Sequence, residues 1–137
     1  MNSGKFAISV HILTLLAAFK KEWIPSEYLA GSININPVLV RKELINLREH
    51  GLIESKEGKS GGSRLKKSPD KITLSAVYEA VRQQDLLGRK INQPNPDCPV
   101  GKKINDHLDD LYKESESVLL ASLADKTIAD FCKKFQI

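Results

Sequence analysis

The sequence predicts a mainly α fold with one small β-hairpin, and two observations indicate it. Apolar residues recur at helical spacing over most of the 137 residues, whereas two short strand patterns flank one glycine-rich stretch at residues 56–62. Hydrophobic residues make up 41% and charged residues 28% of the chain, which is the balance of an ordinary globular protein. The length suits one domain with a helical extension, because single domains commonly run to roughly 100–150 residues.

The first predicted helix covers residues 6–19, and apolar residues occur on nearly all of its sides. A helix of this kind is normally central and buried. Its one histidine, His11, is expected to be a core residue with a hydrogen-bonded ring. Ser26 is a suitable N-cap for a short second helix at residues 27–31.

The third predicted helix, residues 37–50, has the clearest boundaries. Asn36 suits the N-cap, and Pro37 takes the first helical position, where its missing N–H costs nothing. Gly51 follows the last turn and suits a left-handed C-cap. Arg41 and Lys42 fall on the face opposite the buried one. The buried face recurs at spacings of four and three residues: Val40, Leu44 and Leu47.

Strand patterns at residues 52–55 and 63–66 flank the glycine-rich stretch, which suits a flexible hairpin tip. Residues 56–67 carry five basic side chains and one acidic side chain. A basic hairpin directly after two short helices is the arrangement of a winged helix-turn-helix. A solvated charged loop without a binding role is the alternative, but the position and the glycine content of the loop favour a wing.

Beyond the hairpin, Thr73 is the expected N-cap of a helix at residues 74–82. The following loop contains three prolines and Cys98 and shows little periodicity. The predicted division, within one continuous structural unit, is residues 1–84 for the winged helix-turn-helix, 85–99 for the loop, and 100–137 for a dimerisation helix with a last short helix.

The long helix at residues 100–122 has an apolar seam, and Thr127 with Asp130 forms a capping box that opens the last helix. The seam predicts a homodimer contact, since an apolar face without a partner would be an exposed patch. Packing on the first helix of the same chain is the alternative. The predicted interface residues are Ile104, Leu108, Leu111, Ser115 and Val118.

The exposed N-terminal turns of the third helix would reach base edges in a major groove about 12 Å wide. Arginine and lysine there can donate to guanine, and the apolar side chains can touch a thymine methyl group. Basic wing residues would hold phosphate without reading sequence. The predicted contacts to double-stranded DNA are Ser26, Asn36, Pro37, Val38, Leu39, Arg41, Lys42, Lys59, Gly61, Gly62, Arg64 and Lys66, with Lys67 beside them.

One recognition helix covers too few base pairs for a specific affinity of ~10⁻⁸–10⁻¹¹ M, so a palindromic operator with two half-sites is expected. The charge distribution agrees with a polyanionic partner. The net charge is +4, and residues 1–71 hold 12 Lys and Arg against 7 Asp and Glu, whereas the rest holds 9 against 10.

Other classes of protein receive little support from the sequence. No catalytic constellation or phosphate-cradling motif is visible, so an enzyme is not expected. The longest apolar run, residues 8–19, is too short to span a bilayer, which needs roughly 20 residues, and no signal peptide is recognisable. Cys98 and Cys132 are far apart, which predicts free thiols, no metal site and a cytoplasmic location.

Several motifs together resemble a known family. They are the run from residue 26 to 65, the G-L-I-E-S after the third helix, G-G-S-R-L at 61–65, I-T-L at 72–74, and a cysteine just before the long helix. This order resembles the IscR/NsrR/CymR-type family of bacterial winged-helix regulators over nearly the whole chain. The resemblance implies a homodimeric transcription regulator, commonly a repressor, controlled by an iron–sulfur cluster, a small molecule, a partner protein or thiol oxidation.

The sequence departs from the cluster-binding members, which have three closely spaced cysteines where this chain has only Cys98. No cluster or other cofactor is therefore expected. Pro99 places Cys98 at a helix N-cap, where backbone N–H groups stabilise a thiolate, so Cys98 is a candidate redox-sensitive thiol. A structural residue without that role is the alternative for Cys98, and Cys132 is expected to pack. An organic ligand between the wing and the long helix, a partner protein, or a winged helix used only for protein contacts remain alternatives.

Overall fold

The computed structural model describes residues 4–83 and 85–135. Helices dominate and one antiparallel hairpin is present, which confirms the predicted mainly α fold with a small β-hairpin. The elements are α1 (Lys5–Ala18), α2 (Ser26–Ile33), α3 (Pro37–Glu49), β1 (Ile53–Lys56), β2 (Gly62–Leu65), α4 (Leu74–Val81), α5 (Pro99–Ala124) and α6 (Ile128–Cys132), with 3₁₀ turns at Pro69–Lys71 and Lys133–Phe135.

Helix α1 is the centre of the core, as its apolar pattern predicts. Ile12, Leu13 and Leu16 are fully buried, and the helix contacts α2, α3, α4, α6 and β2. His11 is half-buried, with its Nε2 atom 2.9 Å from the Ser32 hydroxyl oxygen. The predicted hydrogen bond to the histidine ring is therefore present, at the edge of the core rather than inside it.

Helix α2 differs from its prediction at both ends. It begins at Ser26 itself, because Pro25 has the extended backbone of an N-cap residue, so Ser26 is not the cap. The helix continues through Gly31 to Ile33, where Asn34 takes a left-handed conformation with φ 64°. Asparagine tolerates this conformation, which makes it a workable helix end. The prediction failed because it relied on a serine and a glycine and overlooked this asparagine.

Helix α3 confirms the signals read from the sequence. The Val38 N–H donates to Asn36 Oδ1 at 2.8 Å, and Pro37 occupies the first turn. Gly51, just beyond the helix, has φ 74°. The predicted inner face is in the core: Val40, Leu44 and Leu47 are all buried.

The hairpin pairs β1 with β2, Ile53 opposite Leu65. A third segment joins it, because Ile24 and Ser63 exchange backbone hydrogen bonds of 2.9 and 2.8 Å. Ile24 lies two residues before the start of α2, so this bridge connects the wing to the helix-turn-helix. Among the helices of the described residues, none combines the length and the apolarity required to cross a membrane.

The C-terminal segment returns to the core built by the N-terminal part. Thr73 caps α4 as predicted, by accepting from the Ala76 N–H at 3.1 Å, and it forms a β-bridge with Thr127. The predicted capping box of Thr127 and Asp130 is present. Ile128 is fully buried, and α6 packs on α1. The last short helix therefore belongs to the core of the winged domain.

Candidate DNA-binding surface

The N-terminal turns of α3 present four side chains to solvent while the opposite face is buried. Val38 is 53% exposed and Leu39 47% exposed. Arg41 and Lys42 are exposed on the same side. These are the side chains that the sequence assigned to base edges, and the cap at Asn36 fixes where they begin. The arrangement offers two apolar and two cationic groups to a groove.

Arg41 has a partner that the sequence did not reveal. Its Nη1 atom lies 3.7 Å from Glu27 Oε2, and the two side chains are 51% and 72% exposed. A pair this exposed contributes little to stability. It does link the first turn of α2 to the reading face of α3, and it places one carboxylate beside the predicted DNA contacts.

The wing glycines are required by close backbone approach. A Cβ atom on Gly62 would lie 2.4 Å from the Ile24 carbonyl oxygen, and its φ is +149°. A Cβ atom on Gly61 would lie 2.0 Å from the carbonyl oxygen of Lys56. Only glycine fits at either position. Gly61 and Gly62 thus shape the wing, while Lys59 at its tip is exposed.

Arg64 makes intramolecular contacts instead of extending freely toward phosphate. Its guanidinium carbon lies 4.0 Å from the ring centroid of Trp23, and its Nε atom donates to Glu54 Oε2 at 2.8 Å. Its Nη1 atom also donates to the Lys21 carbonyl oxygen at 3.5 Å. Sequence reasoning missed Trp23, although a lone tryptophan next to a basic hairpin is a usable signal for a cation–π contact.

The direction of the Ile24–Ser63 bridge sorts the remaining predicted contacts into two groups. Because the pairing is antiparallel, the chain after Ile24 runs toward Gly61, so Ser26 and the start of α2 lie near the wing tip. Lys66 and its neighbour Lys67 lie at the other end of β2. The start of α2 therefore follows the bridge on the side of the wing loop, and Glu27 in its first turn contacts Arg41 of α3, whereas Lys66 follows the other end of β2.

Helix α5 has an apolar stripe that is not buried. Leu111 is 48% exposed and Val118 67% exposed, whereas Ile104, Leu108 and Ser115 are half-buried, and α5 holds no fully buried residue. Leu123, near the end of α5, packs against the core, and four further contacts with the chain come from the position after a seam residue, about 100° further round. These contact residues are Asn105 with Ile91, Asp109 with Lys90, Tyr112 with Lys90, and Glu116 with Arg82.

Cys98 is the N-cap residue of α5 and is exposed, as predicted. The backbone N–H groups of Gly101 and Val100 hold the pKa of its thiol below the usual value, although the sulfur makes no cap hydrogen bond of ordinary geometry. Cys132 behaves differently. Its sulfur donates to the Thr14 carbonyl oxygen at 3.6 Å, and burial raises the pKa of its thiol.

The donor set of this chain does not fit an iron–sulfur cluster. Such a cluster needs at least three thiolates or imidazoles close together. The two cysteines are at different places, Cys98 on the surface at the start of α5 and Cys132 against α1. Within residues 4–83 and 85–135, no group of three or more His, Cys, Asp or Glu side chains could hold a metal ion.

The fold combines an exposed recognition helix, a wing with a glycine-rich loop, and a helix-turn-helix that is hydrogen-bonded to that wing. These features define a DNA-binding transcription regulator of the winged-helix class. Comparison with known families is consistent with this class. The family model Rrf2, described as an iron-dependent transcriptional regulator, matches residues 2–134. The chain belongs to the Rrf2 family.

Individual relatives agree with the family. The chain is 38% identical over 130 residues to a protein named as an HTH-type transcriptional regulator, YwnA of Bacillus subtilis, and the match covers 95% of this chain and 96% of YwnA. A solved transcriptional regulator from Lactobacillus plantarum is 25% identical with a TM-score of 0.78, over 97% and 90% of the two chains. CymR, the global cysteine regulator of B. subtilis, shares the fold at 19% identity and TM-score 0.69, over 98% and 97%.

Proposed function

We propose that this regulator is a cytoplasmic homodimeric repressor that reads a palindromic operator with two copies of α3. The observation that carries the proposal is the exposed N-terminal face of α3, with Val38, Leu39, Arg41 and Lys42 on a helix whose other face is fully in the core. Repression follows from occupancy, because a dimer bound across a promoter excludes polymerase from the same DNA.

In this proposal the contacts divide by role. Arg41 and Lys42 donate to base edges, and Val38 and Leu39 touch methyl groups. Lys59 and the backbone N–H groups at the starts of α2 and α3 bind phosphate, favoured by the helix dipoles. Ser26, Asn36 and Pro37 set those helix starts, Gly61 and Gly62 shape the wing, and Arg64 positions it. Lys66 and Lys67 contribute only long-range attraction.

The seam of α5 forms the dimer contact. Leu111 and Val118 of its stripe are exposed, and the stripe lies about 100° from the positions on α5 that contact Arg82, Lys90 and Ile91. A second copy related by a two-fold axis presents the same stripe, so that each copy covers the stripe of the other. Removing Leu111 and Val118 from water supplies the driving force.

Cys98 is the proposed control point. Its lowered pKa raises the thiolate fraction. The thiolate sulfur attacks one oxygen of hydrogen peroxide, the O–O bond breaks, the sulfur keeps that oxygen as a sulfenic acid, and the other oxygen leaves as hydroxide. Oxidation at the first turn of α5 alters the same helix that joins the two subunits. The consequence is a dimer whose half-site spacing no longer fits the operator.

The test is in vitro selection of bound DNA followed by gel shift of the selected sequence. The double variant Arg41→Ala/Lys42→Ala is expected to lose selective binding, at roughly 1–3 kcal/mol per lost base contact. The matched control, Lys113→Ala/Lys134→Ala, removes the same charge from exposed positions on α5 and the C-terminal turn and is expected to keep selectivity. Equal loss in both variants would show that α3 does not read sequence.

A further inference from the structure

We propose that a lysine-lined cleft at the base of the wing binds a small polyanion. The cleft has a volume of about 330 Å³ and lies between the C-terminal end of α1 and the segment after β2. Four lysines line it, Lys20 and Lys21 from one side and Lys66 and Lys67 from the other, and Leu65 adds apolar surface. The volume is at the small end of ligand pockets, which run to roughly 300–1,000 Å³.

No carboxylate is among the residues that line this cleft. All four lysines are exposed, and within the described part of the chain none of them forms an ion pair. The acids nearest in sequence, Glu22 and Asp70, lie outside the lining, and Asp70 accepts a hydrogen bond from the Ser68 hydroxyl. Four ammonium groups around one space repel each other, and a bound anion relieves that repulsion.

The backbone holds the two lysine pairs face to face. Lys20 has φ 58°, a left-handed conformation that glycine normally takes at a helix end, and its N–H donates to the Ala17 carbonyl oxygen at 3.2 Å. Non-glycine residues in this conformation concentrate at functional sites. The chain then turns alongside β2, where the Lys21 carbonyl oxygen accepts from Arg64. These backbone contacts therefore position Lys20 and Lys21 beside β2.

The cleft lies at the end of β2 that is away from the hairpin loop of the wing. The antiparallel bridge between Ile24 and Ser63 directs the residues before Ile24 toward the end of β2 and those after it toward the wing tip. Lys66 is four residues from Gly62, or roughly 13 Å along an extended strand. The fitting occupant is a small molecule with two or more carboxylate or phosphate charges, not the DNA backbone.

Isothermal titration calorimetry with citrate and with pyrophosphate, on the full chain without DNA, tests this site. Wild type is expected to bind at least one of the two, which also separates carboxylate from phosphate chemistry. The variant Lys20→Gln/Lys66→Gln is expected to weaken that binding roughly tenfold, because it removes one charged donor from each wall. The matched control Lys113→Gln/Lys134→Gln is expected to bind like wild type.

Three results would overturn the site. Equal weakening in both double variants would point to diffuse charge only, and no binding of either probe by wild type would show that the cleft is not a site for small polyanions. The third result comes from lysine acetylation with and without operator DNA. Lys20 and Lys66 are expected to stay reactive while Lys59 is protected, and protection of all three would assign the cleft to DNA. Because calorimetry omits DNA, its outcome is independent of the proposed repressor function.

Discussion

The guanidinium of Arg64 lies over the ring of Trp23, with 4.0 Å between its central carbon and the ring centroid. The same arginine binds Glu54 on the neighbouring strand and the Lys21 backbone. One side chain on β2 therefore joins both strands of the wing to the segment that leads into α2. We interpret Arg64 as the residue that sets the angle of the wing against the reading helix.

Replacing Arg64 with alanine is expected to lower the free energy of unfolding by about 1–2 kcal/mol, because the cation–π contact and the hydrogen bond to Glu54 are lost. The affinity of this variant for DNA is expected to fall as well. Lys59→Ala is the control: it should leave thermal stability unchanged and reduce the salt slope of DNA binding by about one. If Arg64→Ala behaved like Lys59→Ala in both measurements, Arg64 would be a direct phosphate contact.

Gly62→Ala is expected to destabilise the chain by about 2 kcal/mol or more, since the new Cβ would stand 2.4 Å from the Ile24 carbonyl oxygen and the backbone φ is +149°. Gly31→Ala is the matched control. A Cβ there meets nothing within 4 Å and lies inside α2, so stability should rise by about 0.5–1 kcal/mol. Chemical denaturation of both variants measures these changes in stability. An unchanged denaturation midpoint for Gly62→Ala would contradict the bridge between Ile24 and Ser63.

Glu27→Gln is expected to strengthen DNA binding severalfold while changing stability by less than about 0.5 kcal/mol. The substitution frees Arg41 from a partner 3.7 Å away and removes a negative charge from the surface that approaches phosphate. Fluorescence anisotropy with operator DNA measures the affinity. Weaker binding by Glu27→Gln would mean instead that Glu27 orients Arg41 for its base contact.

Cys98 is expected to alkylate with a pH midpoint below that of Cys132. The backbone N–H groups at the start of α5 lower the pKa of the first thiol, whereas burial raises the pKa of the second. A lowered pKa means more thiolate, the reactive form, at neutral pH. The rate of reaction with iodoacetamide is measured against pH on the single variants Cys98→Ser and Cys132→Ser, each of which leaves one thiol. Equal pH midpoints for the two thiols would contradict the role of Cys98 as a sensor.

Local signals explain which parts of the fold the sequence could predict. Asn36 and Pro37 define the start of α3 through their own backbone preferences, and Thr127 with Asp130 does the same for α6. The spacing of residues such as Leu111 and Val118 predicts an apolar stripe on α5. The cap at Ser26 was wrong because the preceding proline already supplies the extended backbone of an N-cap.

The missed features join residues that are distant in sequence. The bridge between Ile24 and Ser63 depends on how α1 directs the chain beside the wing, and no local pattern encodes it. Arg64 is a predicted phosphate contact because its charge is visible in the sequence, whereas its contact with Trp23 is visible only in the fold. The lysine cleft likewise forms only when two separate basic pairs meet in the fold.

Hydroxyl-radical footprinting of the selected operator, combined with sedimentation of the protein, tests the central claim most directly. A homodimer reading with two α3 helices predicts two symmetric protected segments about 34 Å apart, or a multiple of that distance, with two protein chains per duplex. Leu111→Glu/Val118→Glu is expected to sediment as a folded monomer and to lose this footprint, because the seam of α5 then carries charge. A single protected segment occupied by a monomeric wild-type chain would contradict the account.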